Sequence, residues 1–158
     1  MTDPHALVAQ LGLYAGTFAV AAVSSVIPFV VIDVFLVGVA LRLGASPALV
    51  AIVGLAALGQ LVGKLPAYFA VRAIVALAAT PSPRQRARIE RLRAWTDRFR
   101  RRPHLVLAAS ALTGLPPFSI VATAAGLLAI RVRAFAAIVL AGRGLRFAIV
   151  IAVTLLAR

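Results

Sequence analysis

The sequence predicts an all-α integral membrane protein, and three observations carry that prediction. The chain is 63% apolar and 13% charged, with a mean hydropathy of +1.03, whereas a soluble domain carries roughly a quarter charged residues. Its apolar residues fall in long runs: Ala6–Leu41 holds a single charge, Asp33, and Leu49–Ala79 holds only Lys64 and Arg72. Each run exceeds the about 20 apolar residues that a helix needs to cross a hydrocarbon core about 30 Å thick. Finally, the charge is concentrated. Of a net +13, the segment Ser82–Pro103 carries nine arginines against Glu90 and Asp97, a local +7, between apolar stretches. The positive-inside rule puts such a linker in the cytoplasm, so the basic balance speaks for membrane topology rather than for nucleic acid.

The same inventory removes other classes. There is no cysteine, hence no disulfide, zinc thiolate or thiol chemistry. His5 and His104 stand alone and fit membrane interfaces better than a metal. No Ser-His-Asp arrangement, paired carboxylates or phosphate-cradling loop occurs, so neither enzyme activity nor a cofactor is expected. Met1–His5 has no Lys or Arg, and the apolar run after it is too long for a signal-peptide core. The first helix is expected to stay as an anchor.

The elements then follow in order within one membrane domain, 1–158. Residues 6–23 form a first transmembrane helix. Residues 24–79 hold a first hairpin and a transmembrane helix. Ala6–Leu43 is too long for one crossing at 1.5 Å per residue and tight for two, and Ser24, Ser25 and Pro28 interrupt helices. A half-membrane hairpin over Ser25–Leu43 resolves this, and two short tilted helices are the alternative. Gly44-Ala45-Ser46-Pro47 starts the long Leu49–Ala79 helix, with Pro66 inside it. That helix carries Gly59 and Gly63 as GxxxG, which lets helices approach closely. Beside them runs a polar stripe: Gln60, Lys64, Tyr68 and Arg72.

Residues 80–103 form the linker. Ile89, Leu92, Trp95 and Phe99 share a helix face with arginines around them, as in a helix lying on a membrane surface; a solvated loop is the alternative. Residues 104–158 hold a second hairpin, broken at Pro116 and Pro117, and a last transmembrane helix from Val132 with Gly142, Arg143 and Arg146.

The two halves resemble each other. Pro28-Phe29 precedes Gly38 and Arg42, and Pro117-Phe118 precedes Gly126 and Arg131, with the same spacing from proline to arginine. With the linker inside, the units have opposite orientations, so the fold class is an inverted repeat of re-entrant helical hairpin plus transmembrane helix, with an extra N-terminal transmembrane helix. Inverted repeats with broken helices are a transporter design. Charges inside such segments cost about 2.5–3.5 kcal/mol each on insertion scales and are turned toward a cavity or partner. Asp33 is the only intramembrane acid, Lys64 is central in its helix, and Arg143 lies eleven residues after Val132. Asp33 is expected to pair with Arg143 or Lys64. A purely structural ion pair is the alternative.

Several of these motifs resemble the DedA (SNARE-associated Golgi protein, or VTT-domain) family. Ser25-Val26-Ile27-Pro28 followed by Asp33 resembles its first hairpin. Gly59-Gln60-Leu61-Val62-Gly63 with Tyr68 and Arg72 resembles its glycine-rich helix. Leu115-Pro116-Pro117, Ala125-Gly126, Gly142-Arg143 and Arg146-Phe147 resemble its second hairpin and following helix. The short YqaA-like branch is the most similar, over about Ser24–Ile151. The chain departs from the pattern where Asp33 replaces a usual glutamate, where Lys64 stands near an acid of larger members, and where Ser110 stands for a frequent arginine.

The resemblance implies a flippase- or scramblase-like protein of a bacterial-type inner membrane, multi-pass, moving polyprenyl phosphate or phospholipid. The missing second acid leaves proton coupling open. Arg143, Arg146 and Lys64, with Gln60, are then expected at an anionic lipid headgroup, and Asp33 as the balancing charge or proton carrier. Pro28, Gly59, Gly63, Pro116, Pro117, Gly126 and Gly142 shape and pack the hairpins. Membrane lipids are the expected partners, and a homo-oligomer is left open. A non-transporting scaffold or subunit and an ion or small-solute transporter are the competing readings.

The linker assignment has a direct test. The protein lacks cysteine, so an Arg86→Cys variant carries one thiol. A membrane-impermeant maleimide should label it only after cells are permeabilised; efficient labelling of intact cells reverses the orientation.

Overall fold

The computed structural model describes residues 4–27, 31–77, 82–84, 86–87, 90–91 and 102–157. Six long helices lie among them: α1 (Pro4–Val26), α2 (Ile32–Leu43), α3 (Ala48–Leu77), α4 (Pro103–Thr113), α5 (Phe118–Leu127) and α6 (Val132–Leu156). The segments Val8–Val26, Ala48–Ala73 and Val132–Leu156 are long and apolar enough to cross a bilayer. The protein is therefore an all-helical membrane protein in its described residues.

The sequence explains where these helices begin and end. Ser46 Oγ accepts the Ala48 N–H at 3.3 Å, and Pro47 precedes the first turn of α3. The 30 residues of α3 rise about 45 Å. Pro66 sits inside this helix without ending it. Gly44 closes α2 at φ 62°, and Gly114 closes α4 at φ 80°. Both conformations suit glycine because it has no Cβ to clash. By contrast α2, α4 and α5 have 12, 11 and 10 residues, a rise of about 15–18 Å each.

One expectation changes here. The first interruption was expected at Ser24, Ser25 and Pro28, with a hairpin over Ser25–Leu43 or, as the alternative, two short tilted helices. Instead α1 runs unbroken to Val26, and α2 is the one helix that follows before Gly44. The reason is local. Ser24 Oγ donates to the Ala21 carbonyl at 2.8 Å and Ser25 Oγ to the Ala22 carbonyl at 2.7 Å. Hydroxyls satisfied one turn back stay inside a helix. The helix expected over 6–23 is thus longer, and its end takes the place of the first hairpin arm. Pro28 lies outside the described residues, as do Ile89, Leu92, Trp95 and Phe99 of the amphipathic linker face.

The chain divides into two compact units, Met1–Gly63 with Arg143–Arg158, and Lys64–Gly142. These do not follow the two sequence repeats, because α3 and α6 each contribute one half to each unit. In the first unit, α3 packs on α1 through its glycines. A Cβ at Gly59 would lie 2.5 Å from the Phe18 carbonyl oxygen and 2.9 Å from Ala21 Cβ. One at Gly63 would collide with Ser25 Oγ and lie 2.5 Å from the Ala22 carbonyl oxygen. The GxxxG pair therefore brings two backbones together, as its spacing predicts. Ile32, Leu36, Ile52, Ala56 and Phe147 fill the surrounding core.

In the second unit the core is built around Tyr68, which is fully buried. Its ring stacks on Phe135 with centroids 4.8 Å apart. A Cβ at Gly126 would lie 2.5 Å from the Tyr68 carbonyl oxygen, and one at Gly142 would lie 2.7 Å from Ala111 Cβ. Helices α4 and α5 pack on each other across the Gly114–Pro117 turn. The Leu115–Pro116 bond is cis, and Ser110 Oγ donates to the Pro116 carbonyl at 2.6 Å.

These contacts order the glycines by cost. Gly59→Leu and Gly63→Leu should each lower stability in detergent by about 1–3 kcal/mol, the range for overpacking. Gly54→Ala, with nothing within 4 Å of its Cβ position, should be neutral or stabilising by up to about 1 kcal/mol. Thermal unfolding followed by circular dichroism distinguishes them.

Candidate functional site

The first unit holds a charged cluster. Asp33 sits in the first turn of α2, where the positive end of the helix dipole favours a carboxylate. Arg146 grips it with two parallel bonds, Nη2 to Oδ2 at 2.8 Å and Nε to Oδ1 at 3.3 Å. The two side chains are 27% and 24% exposed. Such fork-to-carboxylate geometry is among the stronger protein ion pairs. Arg143 lies three residues earlier on the same helix, hence on the same face. It is buried, and it interacts electrostatically with both Arg146 and Asp33. Asp33 is the only described acid of this unit. Among the described residues, two guanidinium groups therefore meet one carboxylate in this cluster.

Of the expected partners of Asp33, Arg143 interacts with it electrostatically, and the bidentate hydrogen bonds come from Arg146. Arg146 holds both carboxylate oxygens. Lys64 belongs to the second unit and donates to Ser119 Oγ at 3.1 Å, in the first turn of α5. Gln60 is buried, and its amide donates to the Ala21 carbonyl at 3.2 Å and to Ser24 Oγ at 2.6 Å. Both amide hydrogens are thus directed to α1.

The polar stripe on α3 ends in a third arrangement. Tyr68 Oη donates to the Ile130 carbonyl and accepts from Arg72 Nη1 at 2.8 Å. This ties α3 to the chain just before α6, where Ile130 precedes the helix. Sequence reasoning marked Gln60, Lys64, Tyr68 and Arg72 as one polar face. It missed their partners Ser24, Ser119 and the Ile130 carbonyl, because a lone serine in an apolar run or a helix-terminal carbonyl carries no sequence signal of its own.

Among the described residues, no group of three or more His, Cys, Asp or Glu side chains is placed to hold a metal ion. Comparison with family models, curated proteins and solved structures finds no match.

The Asp33–Arg146 pair makes a thermodynamic prediction. In a double-mutant cycle with Asp33→Ala and Arg146→Ala, the double variant should be less destabilised than the sum of the single changes. The expected coupling is about 0.5–3 kcal/mol, because each single change strands a charge. Additive losses in detergent unfolding would show that the pair contributes nothing.

Proposed function

We propose that the chain is a membrane transporter of an anionic lipid, a polyprenyl phosphate or a phospholipid. It is proposed to act in the manner of the DedA family, whose YqaA-like branch its motifs resemble. The proposed setting is the inner membrane, with the 80–103 linker on the cytoplasmic side. In this reading α2 and the α4–α5 pair are re-entrant, since each rises about 15–18 Å against a core of about 30 Å.

The observation that carries the reading is the unequal count in the charged cluster, two arginines for one carboxylate. Intramembrane charges are costly and mark substrate paths. A phosphate is the ligand that planar guanidinium groups bind bidentately. Asp33 is proposed to hold Arg146 in place without a headgroup and to yield it when a phosphate arrives between Arg146 and Arg143. One anion thus replaces another, and the arginines never face hydrocarbon unpaired. If Asp33 takes up a proton on release, the step becomes proton-coupled. Gln60 and Lys64, expected from the sequence to join the headgroup, bond instead to α1 and Ser119. The proposal therefore assigns the phosphate to the two arginines.

A second reading has one specific observation in its favour. Both Asp33 oxygens are taken by a single guanidinium, as in an ion pair that only fastens α2 to α6 in a non-transporting scaffold. Reconstitution into liposomes with labelled phospholipid and with polyprenyl phosphate separates the two. For a transporter, Arg143→Lys should lose about tenfold in rate despite the kept charge, the scale of one charge-assisted hydrogen bond. Asp33→Asn should slow transport, and should flatten its pH profile if the acid carries a proton. Folded variants that both move lipid at the wild-type rate, or a wild-type protein that moves none, leave the scaffold.

A further inference from the structure

The first unit contains a second feature outside the charged cluster. Helices α1 and α2 flank a groove of about 510 Å³, within the about 300–1,000 Å³ typical of small-molecule sites. Gln10 and Leu13 line it from α1, and Phe35, Gly38, Val39 and Arg42 from α2. Gly38 opens its floor: nothing lies within 4 Å of where a Cβ would stand. The α1 wall belongs to Val8–Val26, a segment long and apolar enough to cross a bilayer, and an apolar trough on such a helix suits a lipid chain.

Two polar side chains interrupt this apolar lining. Arg42 stands in the last turn of α2 and Gln10 near the start of α1. The two helices are joined at 27–31, so both residues lie on the side of the groove away from that connection. Arg42 is exposed and has no ion-pair or hydrogen-bond partner among the described residues. A fixed cation beside an apolar trough is complementary to an amphiphile with one anionic head and an apolar chain. A water-soluble anion would leave the walls formed by Leu13, Phe35 and Val39 unused. A neutral lipid would leave the guanidinium without its counter-charge, which is costly next to lipid.

We propose that the α1–α2 groove holds one acyl chain of an anionic phospholipid whose phosphate is bound by Arg42, with Gln10 donating a further hydrogen bond. Arginine suits this role because its fork matches two phosphate oxygens. The site rests on the membrane location of α1 and uses none of Asp33, Arg143 or Arg146. It stands or falls independently of lipid transport.

The test uses the full-length protein in a non-ionic detergent, titrated with equal amounts of phosphatidylglycerol and phosphatidylcholine and read by native mass spectrometry. Wild type should retain phosphatidylglycerol preferentially. Arg42→Gln should weaken that retention roughly tenfold, the loss of one charge-assisted hydrogen bond. Gly38→Leu starts from a Cβ position with nothing within 4 Å, extends into the trough, and should weaken retention comparably, with unchanged thermal stability. A phosphatidylglycerol carrying a diazirine on its acyl chain should crosslink to α1 and α2 peptides of the wild type. This readout needs no variant to fold. Equal retention of the two lipids overturns the site. So does loss in Arg42→Gln without loss in a folded Gly38→Leu, which would mean surface electrostatics alone. Crosslinks confined to other helices, or a second copy seated in the groove, overturn it too.

Discussion

A backbone carbonyl or amide that leaves a helix needs another hydrogen-bond partner, most of all in a membrane protein, and side chains supply such partners around the helix ends. Where α4 stops, Ser110 reaches the Pro116 carbonyl. Thr113 Oγ1 donates to the Ala109 carbonyl and accepts the Leu115 N–H at 3.1 Å. Where the chain turns into α6, the buried Tyr68 hydroxyl takes the Ile130 carbonyl. On α1, Gln60 joins Ser24 at the Ala21 carbonyl. Each is a hydroxyl, phenol or amide in an otherwise apolar stretch, and each is placed where main-chain hydrogen bonding is incomplete or shared. Small residues serve the same end differently. Gly59, Gly63 and Gly126 let helix backbones meet so closely that no intervening space needs filling.

The charged residues obey a stricter form of the same rule. A hydroxyl can bond a carbonyl of its own helix, whereas the Asp33 carboxylate is met by a guanidinium from another helix. Asp33 and Arg146 supply one another across 113 residues of sequence. Arg143 adds a buried positive charge beside them. A scaffold needs only the pair. Arg143 and Arg146 thus place two guanidinium groups beside the one described carboxylate of the first unit.

Much of this was legible in the sequence because it depends on local pattern. The apolar runs mark α1, α3 and α6, the Gly44–Pro47 cluster marks the start of α3, and Gly59-x-x-x-Gly63 marks a close contact. What was not legible depends on three-dimensional phase. The run Ala6–Leu43 shows that a break must exist. Of the three interrupters read there, the back-bonding of Ser24 and Ser25 keeps both inside α1, which runs to Val26. Asp33 is recognisable as an acid needing a base, but choosing Arg146 over Arg143 requires the rotation of α6 against α2. The α3 stripe is recognisable as polar, yet its members turn to α1, Ser119 and Ile130 rather than to one shared cavity. A stripe on a helix gives direction, not destination.

The long reach of the Asp33–Arg146 pair also has a consequence for biogenesis. A ribosome adds about 5–20 residues per second, so Arg146 is made on the order of ten seconds after Asp33. During that interval the carboxylate has no arginine of its own cluster, since Arg143 also lies in the last helix. The first unit cannot close until that helix arrives, because residues Arg143–Arg158 are part of it. A nascent chain stalled after the linker would present an unpaired acid and an incomplete core to the insertion machinery and to membrane proteases. Closure of the first unit is thus tied to the synthesis of α6.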